Sequence, residues 1–555
     1  MKRIIYFIAM AMFCCSCNGF LDRVPPTGPS NENYYSTEEE LTLALNSAYS
    51  QFYWMDSHDV QYLIFMEGAT DLVYDRGDYA SMLTIRLGGA NAELNAFNGL
   101  WKQLYKKLTY SNQILDNMHR AKDNVSETFY NQTEAQAKFL RAYTNFYLTT
   151  LWGDVPYIDR VLDWNESQIP KMKAEEIRAK IYDDLDFAAK HLPESWPAAD
   201  YGRATKGAAY ALKSRLALYH GEYDIAAEAA DKCMKLGVYE INDNYGDLFL
   251  HKGEGCKEIV LSVDYLENIQ TNQHPRYIGT RLSGGYAVAV PMQTLVDMYQ
   301  CTDGLRIDKS PLYDPANPYE NRDPRLKMSI LTPGDWHNGY LYDPNPASKT
   351  TQHIKDDGSI EMVDNLDATH AYCSFTGYVS KKYFDAEDCP EYIKKSDLHF
   401  ILIRYAEVLL NYAEAKIELG QIDQSVIDAI NQVRHRKSVE MPEVSLGMSQ
   451  DELRAVIRYE RPVEFAMEGL RLFDIRRWKI AEHVLPGNLI GKRKDWDKPL
   501  PVPTFNEYGK PSYGDAEKDL FTTLGTAVFN AETGYLWPIP QNEIDLNPLL
   551  GEILE

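Results

Sequence analysis

Two stretches far apart in the chain are built to one plan. Residues 205–236 read TKGAAYALKSRLALYHGEYDIAAEAADKCMKL, and residues 399–437 read HFILIRYAEVLLNYAEAKIELGQIDQSVIDAINQVRHRK. Each carries helix-spaced apolar residues on both sides of a short polar turn, HGEYD in the first and LGQID in the second. In the first, Ala208, Ala211, Ala217, Ala226, Ala227 and Ala230 are small enough to bring two helices close, with Gly221 and Tyr223 at the turn. Two helices in about 34 residues is the plan of a tetratricopeptide unit. A lone pair cannot bury its apolar faces, so such units stack on neighbours into a superhelix. The expected fold class is mostly α, a right-handed stack of tetratricopeptide-like helix pairs.

Other segments extend that frame. In residues 37–54, TEEELTLALNSAYSQFYW, Thr37 caps a helix that opens with three glutamates and repeats Leu41, Leu45, Ala48 and Phe52. Residues 92–119 and 173–191 also read as helices. Residues 132–152 give the clearest amphipathic pattern, with Phe139, Tyr143, Phe146, Tyr147 and Leu151 on one face and a stop at Gly153-Asp154-Val155-Pro156. Residues 240–398 break the pattern. They are rich in Gly, Pro, Asn, Asp and Tyr, with short strand-like runs at EIVLSV (258–263) and GYAVAV (285–290). A long irregular segment inside a compact protein is usually functional. Residues 484–534 are read as similarly irregular.

The first residues read as an address. Lys2 and Arg3 precede Ile4–Phe13, an apolar run of about ten residues, half of the roughly 20 that cross a bilayer. This is the layout of an export signal. Ser16-Cys17 behind it resembles a bacterial lipobox, with Cys17 as the lipidated residue and Cys14 and Cys15 removed with the signal. The organisation predicted is a signal over 1–16, a lipidated tether over 17–36, a helical part over 37–239, a loop-rich lobe over 240–398 and a second helical part over 399–555.

Composition narrows the function classes. The formal net charge is −24, and removal of residues 1–16 with Lys2 and Arg3 leaves −26. So acidic a chain, with no basic stripe, repels phosphate backbones, and no nucleic acid partner is expected. The five later cysteines, Cys233, Cys256, Cys301, Cys373 and Cys389, show no CxxC and no zinc spacing. A Cys373–Cys389 bridge is one option among them. No HExxH, GxSxG, P-loop or GxGxxG occurs, so neither cofactor nor catalytic metal is predicted. The 39 tyrosines and 9 tryptophans supply flat faces with polar edges that suit sugars, though most are expected to pack between helices.

Six segments in chain order resemble the SusD/RagB family of outer-membrane nutrient-binding lipoproteins. They are CNGFLDRVPPT from Cys17, EAQAKFLRAYTNFYLTTLWGDVPYI (134–158), RATKGAAYALKSRLALYHGEYDIA (203–226), ILIRYAEVLLNYAEAKIELG (401–420), IRYERPVEFAMEGLRLFDIRRW (457–478) and YLWPIPQNEIDLNPLL (535–550). Pro462 stands where the family usually carries a second Arg, and would restrict the start of that helix. Gly19 stands where surface-exported relatives often carry an acidic residue. The resemblance implies a non-enzymatic lipoprotein, held in the outer membrane by its lipid and facing outward. It implies an oligosaccharide ligand, or a peptide in some members, and a SusC-like TonB-dependent transporter as partner.

Candidate chemistry falls in two groups. Glu460, Arg461, Glu464, Glu468, Arg471, Asp474, Arg476 and Arg477 crowd one short segment. Paired carboxylates can serve glycoside hydrolysis, but Glu464, Glu468 and Arg471 are predicted on one helical face as ion pairs between helices. Asp71, Asp75 and Asp78 suit a calcium loop or Asx turns. Sugar binding needs aromatic platforms beside hydroxyl-gripping polar groups. The candidate binding residues are Tyr74, Asp75, Arg76 and Tyr79 in loop 67–80, and Asn272, Gln273, His274, Arg276, Tyr277 and Tyr286 in loop 268–286. Trp336, His337, Asn338 and Tyr340 join them from 335–342. A peptide-binding protein of the same fold, a secreted hydrolase and a scaffold without a small ligand are the alternatives.

Overall fold

The computed structural model describes residues 34–54, 58–389, 393 and 395–552. The signal, Cys17 and most of the tether lie outside the described residues. The frame consists of α1 (Glu38–Tyr49), α2 (Asn95–Asn117), α3 (Glu127–Trp152), α4 (Ala174–His191), α5 (Lys206–Tyr219), α6 (Tyr223–Lys235), α7 (Tyr405–Glu418), α8 (Gln424–Arg434), α9 (Gln450–Glu464) and α10 (Arg471–Arg477). From α2 to α8 each helix packs on the next, so α6 is followed in space by α7 across the whole intervening lobe. Among the described residues no helix is long and apolar enough to cross a membrane.

Local chemistry explains the helix ends. Thr37 and Glu40 form a capping box at the start of α1. Ser126 accepts from Phe129 N at 3.2 Å and starts α3 ahead of the predicted residue 132. Gly153, at φ +77°, ends α3 where predicted. Between α5 and α6, Ala208, Ala211, Ala226 and Ala230 are at most 1% exposed, so the two helices approach through small side chains. Ala227 faces partly outward.

The strands are short. They include β1 (Val73–Asp75), β2 (Ile259–Val263), β3 (Ala289–Pro291), β4 (Trp336–His337), β5 (Tyr340–Leu341), β6 (Thr350–Ile354), β7 (Ile360–Asp364), β8 (Phe400–Arg404), β9 (Gly487–Arg493) and β10 (Phe521–Ala527). The sequence prediction is corrected at three places. Residues 400–404 are a strand rather than the head of a helix, because FILIR is buried throughout and pairs antiparallel with β2. Only the end of the 285–290 run is strand, where Asp75 faces Ala289 across the β1–β3 pair. Segment 484–534, predicted irregular, contains the antiparallel β9–β10 ribbon, whose register shifts blur its alternation. Strands β4 to β7 form one antiparallel sheet in order.

A buried charge network ties the lobe to the frame. Arg404, at the end of β8, reaches Glu464 (2.6 Å), Glu468 (2.7 Å) and Glu258 (2.9 Å). Arg325 from the lobe reaches Glu464 at 2.8 Å, and Arg436 reaches it at 2.9 Å. Arg215 of α5 holds Glu407 of α7 at 2.6 Å. The predicted single helical face for Glu464, Glu468 and Arg471 is wrong. The chain leaves the helix after Glu464 and turns through Met467 (φ +64°) and Gly469 (φ +82°) before α10. The partners are therefore distant segments, Asp71 for Arg471 at 2.7 Å among them. Pro462 lies in the last turn of α9 rather than at its start, and the helix ends just beyond it.

Candidate functional site

Loop 268–286 is the hub of an aromatic and arginine cluster. The β1–β3 pair sets loop 67–80 beside it, and Arg76 donates through its backbone N to Val288 O at 2.9 Å. The Arg76 guanidinium donates to Tyr286 O at 2.6 Å and lies 5.2 Å from the centre of the Tyr372 ring. Arg276 donates to the Tyr286 hydroxyl at 2.6 Å and to Gln273 Oε1 at 3.0 Å, with its guanidinium 4.7 Å from the Tyr286 ring centre. Arg281 approaches the same ring at 5.7 Å, and its backbone N is held by Asp367 at 2.6 Å. Tyr79 (45% exposed) packs on His58 at 4.1 Å and meets Tyr277 edge-on at 5.6 Å. Tyr372 (46% exposed) packs on Tyr286 at 5.1 Å. Exposed ring faces thus stand beside fixed N–H donors, the pairing that grips a sugar by stacking and by hydroxyl hydrogen bonds.

The predicted residues divide. Arg76, Tyr79, Arg276 and Tyr286 come together in this cluster. Tyr277 belongs to it as a floor, since its ring is buried under Tyr79, His58 and Tyr286. Asn338, at φ +48° in the β4–β5 turn, donates to Ser283 Oγ at 3.2 Å and ties the sheet to the hub loop. Trp336 stands half-exposed on that sheet. Tyr340 stacks on His353 at 4.3 Å.

Three predicted contacts are corrected. Tyr74 is buried and stacks on Phe375 at 6.4 Å. Asp75 is fully buried and accepts from Gly77 N and Asp78 N at 3.1 Å, an Asx turn that shapes the loop. Asn272 is fully buried, donating to Leu398 O and accepting from His274 N at 3.0 Å each. His274 is also interior and His337 is half-buried, and lost solvation pulls their imidazoles down to about 3 and about 4. Sequence reasoning missed His58, Arg281 and Tyr372. HAYCSFTGY, residues 370–378, meets the criterion of aromatics beside glycine in a loop and could have flagged Tyr372.

The remaining chemistry is structural. Asp71 is paired with Arg471, and Asp78 receives the N–H and hydroxyl of Thr84. Each of Glu460, Glu464, Glu468 and Asp474 is buried against guanidiniums. His251, Asp388 and Asp397 bring donor atoms within 4.8 Å of one another. Hydrogen bonds to Asp388 and Glu254 push His251 up to about 10, so it sits there as an imidazolium among acids. Cys373 and Cys389 are free thiols.

Stacked helix pairs with small sheets between them define a mostly α protein of the tetratricopeptide-like class. Residues 257–553 match the model of the SusD family, and residues 20–218 match one described as starch-binding associating with outer membrane. The chain belongs to the SusD family. A SusD-like carbohydrate binding protein from Bacteroides fragilis is 31% identical, with a TM-score of 0.81 over 93% of this chain and 99% of its own. A SusD-like protein of Formosa agariphila is 26% identical over 90% of this chain and 96% of its own. A laminarin binding SusD-like protein, at 19% identity, 92% and 98% coverage and a TM-score of 0.67, shares the fold.

Proposed function

We propose that this chain is a cell-surface glycan-binding lipoprotein that captures an oligosaccharide on the aromatic and arginine cluster and delivers it to a TonB-dependent outer-membrane transporter. The carrying observation is the convergence of Tyr79, Tyr286 and Tyr372 with Arg76, Arg276 and Arg281 on one face. Family membership supports the glycan, as do relatives named for carbohydrate and laminarin binding. In this reading 37–239 and 399–555 form the frame, loop 67–80 and the segment 240–398 together carry the ligand face, and Cys17 carries the lipid. The protein makes and breaks no bonds. The guanidiniums on the rings oppose the alternative of a cationic peptide.

Calorimetry on the chain lacking residues 1–17, against a panel of neutral and acidic oligosaccharides, tests it. Tyr79→Ala and Tyr372→Ala should each weaken binding by about 1–3 kcal/mol. Binding to peptides and to no glycan would overturn the reading, and unchanged affinity in both variants would move the site elsewhere. Cys17→Ala should shift the full-length protein from the membrane to the soluble fraction, and continued retention would contradict the anchor.

A further inference from the structure

Buried guanidiniums in this chain are paired almost throughout. Arg215, Arg325, Arg404, Arg436, Arg461, Arg471 and Arg477 each face a carboxylate, and Arg322 is satisfied by main-chain carbonyls. Arg86 and Arg476 depart from the pattern. They are 5% and 9% exposed, and Arg86 Nε and Nη1 and Arg476 Nη1 find no hydrogen-bond partner among the described residues. Both line one cavity of about 560 Å³, between the turn after β1, helix α10 and the segment following β10. Asp71, the acid whose charge Arg86 feels, already has both oxygens engaged by Arg471. Burial pulls the two guanidiniums down to about 10, and both stay charged at neutral pH.

The rest of the wall suits a ring. Trp537 lies 5.4 Å under the Arg476 guanidinium, Phe529 adds a second aromatic face, and Asn91 and Asn530 offer amides. No Asp or Glu is among the described lining residues. A charge left buried without a partner is costly, and two on one wall of a cavity of ligand size mark a place for a counter-charge. Guanidinium forks pair two N–H donors with two oxygens of a carboxylate or of a tetrahedral oxyanion. We propose that this cavity binds a small organic oxyanion, its carboxylate or sulfate held by Arg86 and Arg476 and its ring set against Trp537 and Phe529. The cavity shares no lining residue with the aromatic cluster, so the inference stands apart from the glycan site.

The test is calorimetry on the folded chain at low salt with three probes of one shape class: 4-nitrophenyl glucuronide, 4-nitrophenyl sulfate and the neutral 4-nitrophenyl glucoside. At least one anion should bind saturably and at least tenfold tighter than the glucoside, and the anion that binds names the carboxylate or the sulfate. Arg476→Met and Arg86→Gln should each weaken that binding at least tenfold, whereas Tyr79→Ala should leave it unchanged. Equal binding of charged and neutral probes, no binding of either anion, or folded arginine variants that bind like the parent would overturn the proposal. The comparison of probes on the unmodified chain decides the matter even where a variant fails to fold. Loss of the anion's binding in Tyr79→Ala would place it at the aromatic cluster and equally refute the assignment.

Discussion

Two buried glutamates respond to pH in opposite senses. Glu67 is 1% exposed and accepts from Gly469 N at 2.7 Å. Burial pushes its carboxyl up to about 7, against the pull of the Gly469 N–H and Arg471. Between the unfolded value of 4.5 and about 7 the folded state holds a proton that the unfolded state has released, so stability falls as pH rises through that window. Glu67→Gln keeps an acceptor and removes the ionisation. Urea unfolding should show it more stable than the parent by about 2–3 kcal/mol at pH 8, with the gain vanishing near pH 4.5. For Glu464, burial would raise the carboxyl, but Arg404, Arg436 and Arg325 hold it far below the usual range. Its stabilisation is present above about pH 4.5 and is lost as pH falls below it. Glu464→Gln leaves buried guanidiniums underpaired and should cost about 3–5 kcal/mol at pH 7 by the same measurement.

Among the elements, the α5–α6 pair gives the sharpest test. Ala226 is fully buried between the helices while Ala227, its neighbour, is partly exposed. Ala226→Leu should destabilise by about 1–3 kcal/mol through overpacking, and Ala227→Leu by less than about 0.5 kcal/mol, both read by thermal unfolding. The helices were legible because period and caps agree: Thr37, Gly153 and the HGEYD turn mark ends that the structure places there or within a residue. The break after Glu464 carried one local mark, Gly469, but the helical spacing runs on through Met467, which gives no signal for a positive φ, and so concealed it. The fate of the site residues depended on exposure. Of the candidate binding residues, Tyr79 and Trp336 are exposed, whereas Tyr74 and Asn272 are buried by strand and bridge partners distant in sequence, Val290 and Ser396. Pairing of that kind leaves no mark in a local window.

At the scale of the molecule, the frame is joined across the lobe by Arg215 and Glu407, both nearly fully buried. Arg215→Met alone or Glu407→Met alone should cost about 3–5 kcal/mol by leaving a bare charge. The double variant should recover most of that loss, giving a strong coupling in a denaturation cycle. Additive losses would show that the two residues contribute through their packing instead. Asp71, within loop 67–80, and Arg471 make a clasp of longer reach, 400 positions apart. A chain emerging from a ribosome or a translocation channel delivers the first residue long before the second. Until Arg471 arrives, Asp71 feels only the charge of Arg86 and lacks the two hydrogen bonds that fix its carboxylate. The proposed ligand face, which draws on loop 67–80, is therefore finished late in folding.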